Sequence, residues 1–354
     1  MLVEILNEKE QMFWQPLRKF LLSIDAATLP FLIAGLADLP HDRLDERLLP
    51  RLRAAESPAL NNIAVEVRAE KWRRMLLTPT EFVTDLQREL LKQEFAGEIF
   101  AALSRLLRPE PDGYRSFVIS TLVNSFVEER AKLEDVLTRM AMLGPDIFQP
   151  LALEIRFEAF KNLIQTPAVL LNAINYGLSD PTIAAETASA LEMLVRPEPD
   201  GYAEELLTTL SAAQATESSA VTALLRRMRA MNALTLNEFT YQFSLRLLGR
   251  LVGNPANFAA RVADSMQNSG ERRETLQILR LLAAPEPNGQ RRSLVRALGI
   301  ARSSQPATVD TLLQDPSWQT RSGLFSLRTE VKLFSFLTNV VSERFASKVL
   351  EFVS

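Results

Sequence analysis

A string that returns at a fixed interval constrains this chain more than any other feature. Arg108-Pro109-Glu110-Pro111-Asp112-Gly113-Tyr114 stands nearly unchanged at Arg196 to Tyr202, and Pro285-Glu286-Pro287-Asn288-Gly289 gives it a third time. Pro109, Pro197 and Pro285 are 88 residues apart. One such string is a turn signal; three at one interval imply that the residues between them are copies too.

Shifting the chain by that interval aligns further positions. Glu10, Glu98, Glu186 and Glu274 form one column, and Glu66, Glu154, Gln242 and Glu330 another. The apolar columns are Trp72, Phe160, Leu248 and Phe336; Leu76, Ile164, Val252 and Val340; and Leu86, Ile174, Val262 and Leu350. Helix-start signals recur at Thr78-Pro79, Thr166-Pro167, Asn254-Pro255 and Ser342-Glu343, where an oxygen-bearing side chain can cap and proline suits the first helical position. These columns predict one helical-repeat array of four units, 3–90, 91–178, 179–266 and 267–354, which leaves little for a linker or an appended catalytic domain. The first and last copies are the least faithful, with Ser23-Ile24-Asp25-Ala26 in place of the proline string and Asp315-Pro316 interrupting a helix, as expected of capping units.

Each unit reads as five helices. In the second, Asp112 is expected to cap a helix over 113–127, and further helices follow over 132–143, 148–165 and from Thr166 to about Leu178. Ser179-Asp180-Pro181 then opens a fifth, stopped by Pro197. Leu153, Phe157, Phe160 and Ile164 fall on one face by helical spacing, as do Ala184, Ala188, Leu191 and Val195. Short loops make such helices antiparallel neighbours. The expected fold is therefore all-α: an α-solenoid, HEAT/armadillo-like, wound as a right-handed superhelix.

Composition narrows the functional classes. Forty basic residues stand against 43 acidic ones, a balance that excludes a generally basic nucleic-acid coat. The chain has no cysteine, hence no disulfide framework and no thiolate nucleophile or metal ligand. The acidic stretch Met1 to Glu10 has the wrong sign for a leader, and no apolar run reaches membrane-span length. A soluble protein of the cytoplasm is expected.

No catalytic signature stands out. The only histidine, His41, has no partner histidines for a metal site, and the phosphate-loop, dinucleotide, His-Glu-x-x-His and Gly-x-Ser-x-Gly patterns are absent. The glutamate columns recur once per module, whereas a catalytic pair is needed once, so they are expected to hold helix ends or arginines. The proline strings are expected to be module joints rather than a row of tyrosines offered to a ligand. The sequence thus predicts no enzyme, no cofactor and no metal.

Charge distribution supplies the one candidate surface. Residues 109–196 carry 7 basic and 12 acidic groups, whereas 285–354 carry 9 and 6. Arg226, Arg227 and Arg229 fall in one helix and Arg291, Arg292, Arg296 and Arg302 in another. If adjacent modules set those helices side by side, a basic strip results. The expected function is a non-enzymatic scaffold, adaptor or regulatory subunit that binds a protein partner along the groove or edge of the array. The alternative is a nucleic-acid-binding helical-repeat protein that uses the arginine strip.

Overall fold

A computed structural model describes residues 14–40, 43–284, 289–314, 326–340 and 342–353. Glu10, His41, the Pro285 to Asn288 segment and the Asp315-Pro316 step lie outside the described residues.

Among the described residues the fold is all-α, with no β-strand. The chain forms two compact units, the first ending at Tyr202 and the second starting at Ala203. In the first, helical residues 14–23 precede α1 (Leu29–Ala37), a π-helical turn over Leu44–Leu48 and α2 (Leu49–Ala54). Then come α3 (Pro58–Met75), α4 (Pro79–Leu90), α5 (Ala96–Leu106), α6 (Arg115–Ser125), α7 (Arg130–Leu143), α8 (Pro145–Leu163), α9 (Pro167–Ser179) and α10 (Ala184–Leu194). The second unit holds α11 (Ala203–Ala213), α12 (Ser218–Ala230), α13 (Leu234–Leu251), α14 (Pro255–Gln267) and α15 (Ser269–Leu282). It continues with α16 (Arg291–Ser304), α17 (Pro306–Leu312), α18 (Leu327–Val340) and α19 (Glu343–Val353).

Helix boundaries fall at even intervals. α4, α9, α14 and α19 begin at Pro79, Pro167, Pro255 and Glu343; α6, α11 and α16 begin at Arg115, Ala203 and Arg291; α5, α10 and α15 end at Leu106, Leu194 and Leu282. Each step is 88 residues. For α4, α9 and α14 the local cause is proline at the first turn, where its missing N–H costs no hydrogen bond. Two of the four expected caps form and two do not. Asn254 and Ser342 accept from the backbone amides of Asn257 and Phe345 at 3.4 and 3.3 Å, while the Thr78 and Thr166 hydroxyls donate backwards to the Met75 and Leu163 carbonyls at 3.2 and 3.1 Å. A threonine there closes the preceding helix end instead of opening the next one.

The joint between α5 and α6 also corrects the sequence reading. α6 starts at Arg115, not Gly113, and Asp112 does not cap it. Glu110 does that work: its carboxylate accepts from the Ser116 amide at 3.1 Å and the Ser116 hydroxyl at 2.6 Å. The chain is pinned by Tyr114 N donating to Leu106 O at 2.7 Å, and the same bond recurs from Tyr202 to Leu194 and from Gln290 to Leu282. Glycine is required beside it, because a Cβ on Gly113, Gly201 or Gly289 would come within 2.4 Å of the carbonyl oxygen of Arg108, Arg196 or Ala284. The Glu110–Pro111 and Glu198–Pro199 peptide bonds are both cis.

Packing in the first unit places α3 against α1 and α5, and α8 against α6, α7 and α10; in the second, α13 lies against α11, α12 and α15, and α18 against α16 and α19. α8 is buried more widely than the predicted stripe: Phe160 and Ile164 are interior, Leu153 and Phe157 only half so, and Phe148, Ala152, Ile155 and Ala159 complete the inner face. A helix with neighbours on several sides buries more than one stripe. The core of the second unit gathers Phe258, Leu294, Val295, Val331 and Phe334.

Candidate functional site

The repeated glutamates are met by arginines inside each unit. Glu98 accepts from Arg68 Nε at 2.6 Å and from Arg53; Glu186 from Arg156; Glu274 from Arg229 Nε at 2.9 Å. Arg68 and Arg156 stand at equivalent positions, where the next equivalent is Ser244; Arg53 and Arg229 share another column, where the second copy has Ala141. Each of these glutamates thus keeps at least one arginine although neither arginine column is complete. Ser244 even accepts from Arg229 Nη2 at 2.8 Å, so the group that lost the guanidinium now binds the one that replaced it.

A second pair of columns behaves alike. Arg115 binds Glu154, and Arg291 binds Glu330 at 2.9 Å, each across 39 residues; at the intervening equivalent both partners change together, to Ala203 and Gln242. Gln242 turns instead to Glu238 at 2.8 Å. The joint tyrosines follow the same rule. The Arg73 guanidinium lies over the Tyr114 ring and the Lys161 ammonium over the Tyr202 ring, both 5.5 Å from the centroid, and the third equivalent pair is Gly249 with Gln290.

The most heavily charged interior was not foreseen from the sequence. Asp45, Asp85 and Glu89 are buried with ligand oxygens within 4.8 Å of one another. Arg68 Nη1 lies 2.7 Å from Glu89, and Lys71 Nζ lies 2.6 Å from Asp45 and 3.0 Å from Asp85, while Trp72 Nε1 donates to Asp85 at 2.9 Å. Protein cations therefore fill the place a metal ion would take. Burial by itself lowers the Arg68 pKa, but the charges of Glu89, Glu98 and Asp45 more than offset it, so the net direction is upward. The equivalent positions, Leu133, Ala173 and Gly177, carry no charge, which is why column alignment could not reveal the cluster.

A wide, shallow cavity of about 650 Å³ lies among Leu29, Ile33, Glu66, Arg73, Arg105 and Tyr114. Most of its charges are engaged: Arg105 pairs with Glu66, and Arg73 with Glu70 at 2.6 Å, while Asp112 is the remaining charge of the lining. No convergent set of open polar groups is left there to bind or activate a substrate.

The candidate arginines lie in the second unit. Arg226 binds Glu271 at 2.8 Å and Asp264 at 3.2 Å; Arg229 binds Glu274; Arg296 binds Glu343 at 2.5 Å; Arg302 binds Asp310 at 2.9 Å. Arg291 is buried and also donates to the Ala283 carbonyl. Arg227 is half-buried and Arg292 exposed. The principal neighbours of α12 are α11 and α13, whereas those of α16 are α14, α17 and α18. The two sets thus sit in separate packing environments, and most of their charge is met by carboxylates of the same unit. Burial alone would raise the Glu271 pKa, but the hydrogen bond from Arg226 and the charges of Arg261, Arg229 and Arg226 bring it below its ordinary value.

Comparison with known protein families, curated proteins and solved structures finds no match for this chain. No described helix is long and apolar enough to cross a membrane.

Proposed function

We propose that this chain is a non-enzymatic interaction scaffold of the cytoplasm: four tandem modules of about 88 residues stacked as an α-solenoid, which binds a protein partner along its groove or edge. The observation that carries the reading is that the residues recurring at the module interval are spent on each other. Arg68 with Glu98, Arg156 with Glu186, Arg291 with Glu330 and Arg73 with Tyr114 are internal contacts. Positions that do not recur are left to specialise, which is how stacked helical modules acquire binding surfaces. The shallow cavity, with its arginines paired to neighbouring glutamates, favours contact with a broad partner over enclosure of a small substrate.

The reading is tested by recovering the tagged chain from cells after cross-linking and footprinting it alone and in complex. A protein recovered in fixed ratio, with protection falling on exposed non-recurring side chains, supports it. Recovery of nucleic acid with steep salt dependence, lost in an Arg227→Glu plus Arg292→Glu variant, would replace the protein partner with a phosphate backbone. Turnover by the isolated chain would overturn the scaffold reading altogether.

A further inference from the structure

Two interfaces within the chain are built alike. In the first unit α4 packs against α6, and the Thr121 hydroxyl donates to the Leu76 carbonyl at 2.9 Å. In the second, α14 packs against α16, and Leu248, Val252 and Phe258 share one apolar cluster with Leu294, Val295 and Leu298. Each interface has two halves: the end of a third helix with the fourth that follows it, and the first helix of the next module.

At three successive equivalent places the first half is interior. Trp72, Phe160 and Leu248 are 0%, 1% and 3% exposed, and Leu76, Ile164 and Val252 are 4%, 1% and 4% exposed. At the fourth place Phe336 and Val340 are 61% and 62% exposed, one helical turn apart on α18, and Phe345 at the start of α19 is 47% exposed. The second half shows the reverse. Val118, Leu206 and Leu294 are buried, as are Leu207 and Val295, yet their counterparts on α1 are the exposed Pro30 and Phe31, the latter 80% exposed. An outward-facing Phe and Val one helical turn apart are unusual for a capping surface, which polar residues should cover.

We infer that this chain associates head to tail with a second copy of itself: α1, led by Pro30 and Phe31, docks on the face formed by Phe336, Val340 and Phe345, remaking between molecules the interface made twice within one. The inference rests on the module reading given above. Charge favours the same pairing. α1 has no charged residue and is preceded by the exposed Asp25, whereas the exposed Arg344 and Lys348 flank the face on α19. Because the two surfaces differ, each added copy leaves one of each free, so association is head to tail and grows with concentration.

Sedimentation velocity between about 1 and 100 μM, the range in which modest interfaces come apart, tests this on the full chain. The wild type should gain mean mass with concentration. Phe31→Asp alone, or Phe336→Asp with Val340→Asp, should each weaken association about tenfold or more, as loss of an apolar anchor does. Mixed one to one, the two variants should form a dimer and stop there, since one intact surface of each kind remains. A wild type that stays monomeric, a Phe31→Asp chain that assembles like wild type, or a mixture that stays monomeric overturns the inference. Helical circular dichroism verifies folding, and Phe31→Ser and Val340→Ser replace any variant that fails. Scattering from the monomeric variants judges the module reading separately: an extended monomer that does not associate sinks the docking alone, and a compact one sinks the array.

Discussion

At Arg156 one guanidinium with no exposed side-chain surface bridges Glu134, at 2.5 Å, and Glu186. Removing it leaves two carboxylates facing each other with little water, and breaking a buried pair from one side costs about 3–5 kcal/mol. Arg156→Ala should therefore destabilise the first unit by that order in urea unfolding. Arg156→Met with Glu134→Gln and Glu186→Gln should recover most of it; equal losses in both variants would show that packing, not charge, is what Arg156 supplies. Gly113→Ala should also be costly, by more than about 1 kcal/mol, because its Cβ would lie 2.2 Å from the Arg108 carbonyl oxygen. The pH dependence is set by carboxylates such as Glu271. Its pKa is lower folded than its ordinary 4.5, so its contribution is full above that value and is lost as pH falls through the lower folded value. Arg226→Gln should flatten the decline of stability of the second unit below about pH 4.5, and an unchanged slope would remove Arg226 as the cause. The glutamate columns were readable in the sequence at this scale because they recur. Asp45, Asp85 and Glu89 were not, because they come from two elements distant in sequence, the π-helical turn and α4, and occur once.

Helices α4, α9, α14 and α19 begin where the proline and glutamate signals put them. Proline acts through the chain's own dihedrals, so its consequence is local and readable. Caps were less readable, since Thr78 and Thr166 can donate to the helix behind as easily as accept from the one ahead, and only the path of the loop decides between them. The paired columns give a direct test between elements. Ala203 and Gln242 occupy the places held elsewhere by arginine and glutamate that bind across 39 residues. Ala203→Arg and Gln242→Glu together should be more favourable than the sum of the single changes, with a coupling of about 0.3–1 kcal/mol in a double-mutant cycle. Zero coupling would mean that α11 and α13 are not set as α16 and α18 are.

For the whole molecule, the module reading makes a claim about size. A compact chain of 354 residues has a radius of gyration of about 20 Å, and an α-solenoid of four modules should exceed it clearly in small-angle scattering. A value near the compact figure would refute the array. What the sequence by itself determined is the class and the spacing: apolar residues at helical intervals, prolines at helix starts and glycines at tight joints act through nearby atoms, and nearby atoms are adjacent in sequence. What only the tertiary structure decided is which charges are spent. Arg226, Arg229, Arg296 and Arg302 look like a basic strip when read along the chain, yet each meets a carboxylate contributed by another element. Coulomb attraction depends on distance through space, and for those partners, as much as 47 residues away along the backbone, that distance is set only when the helices pack.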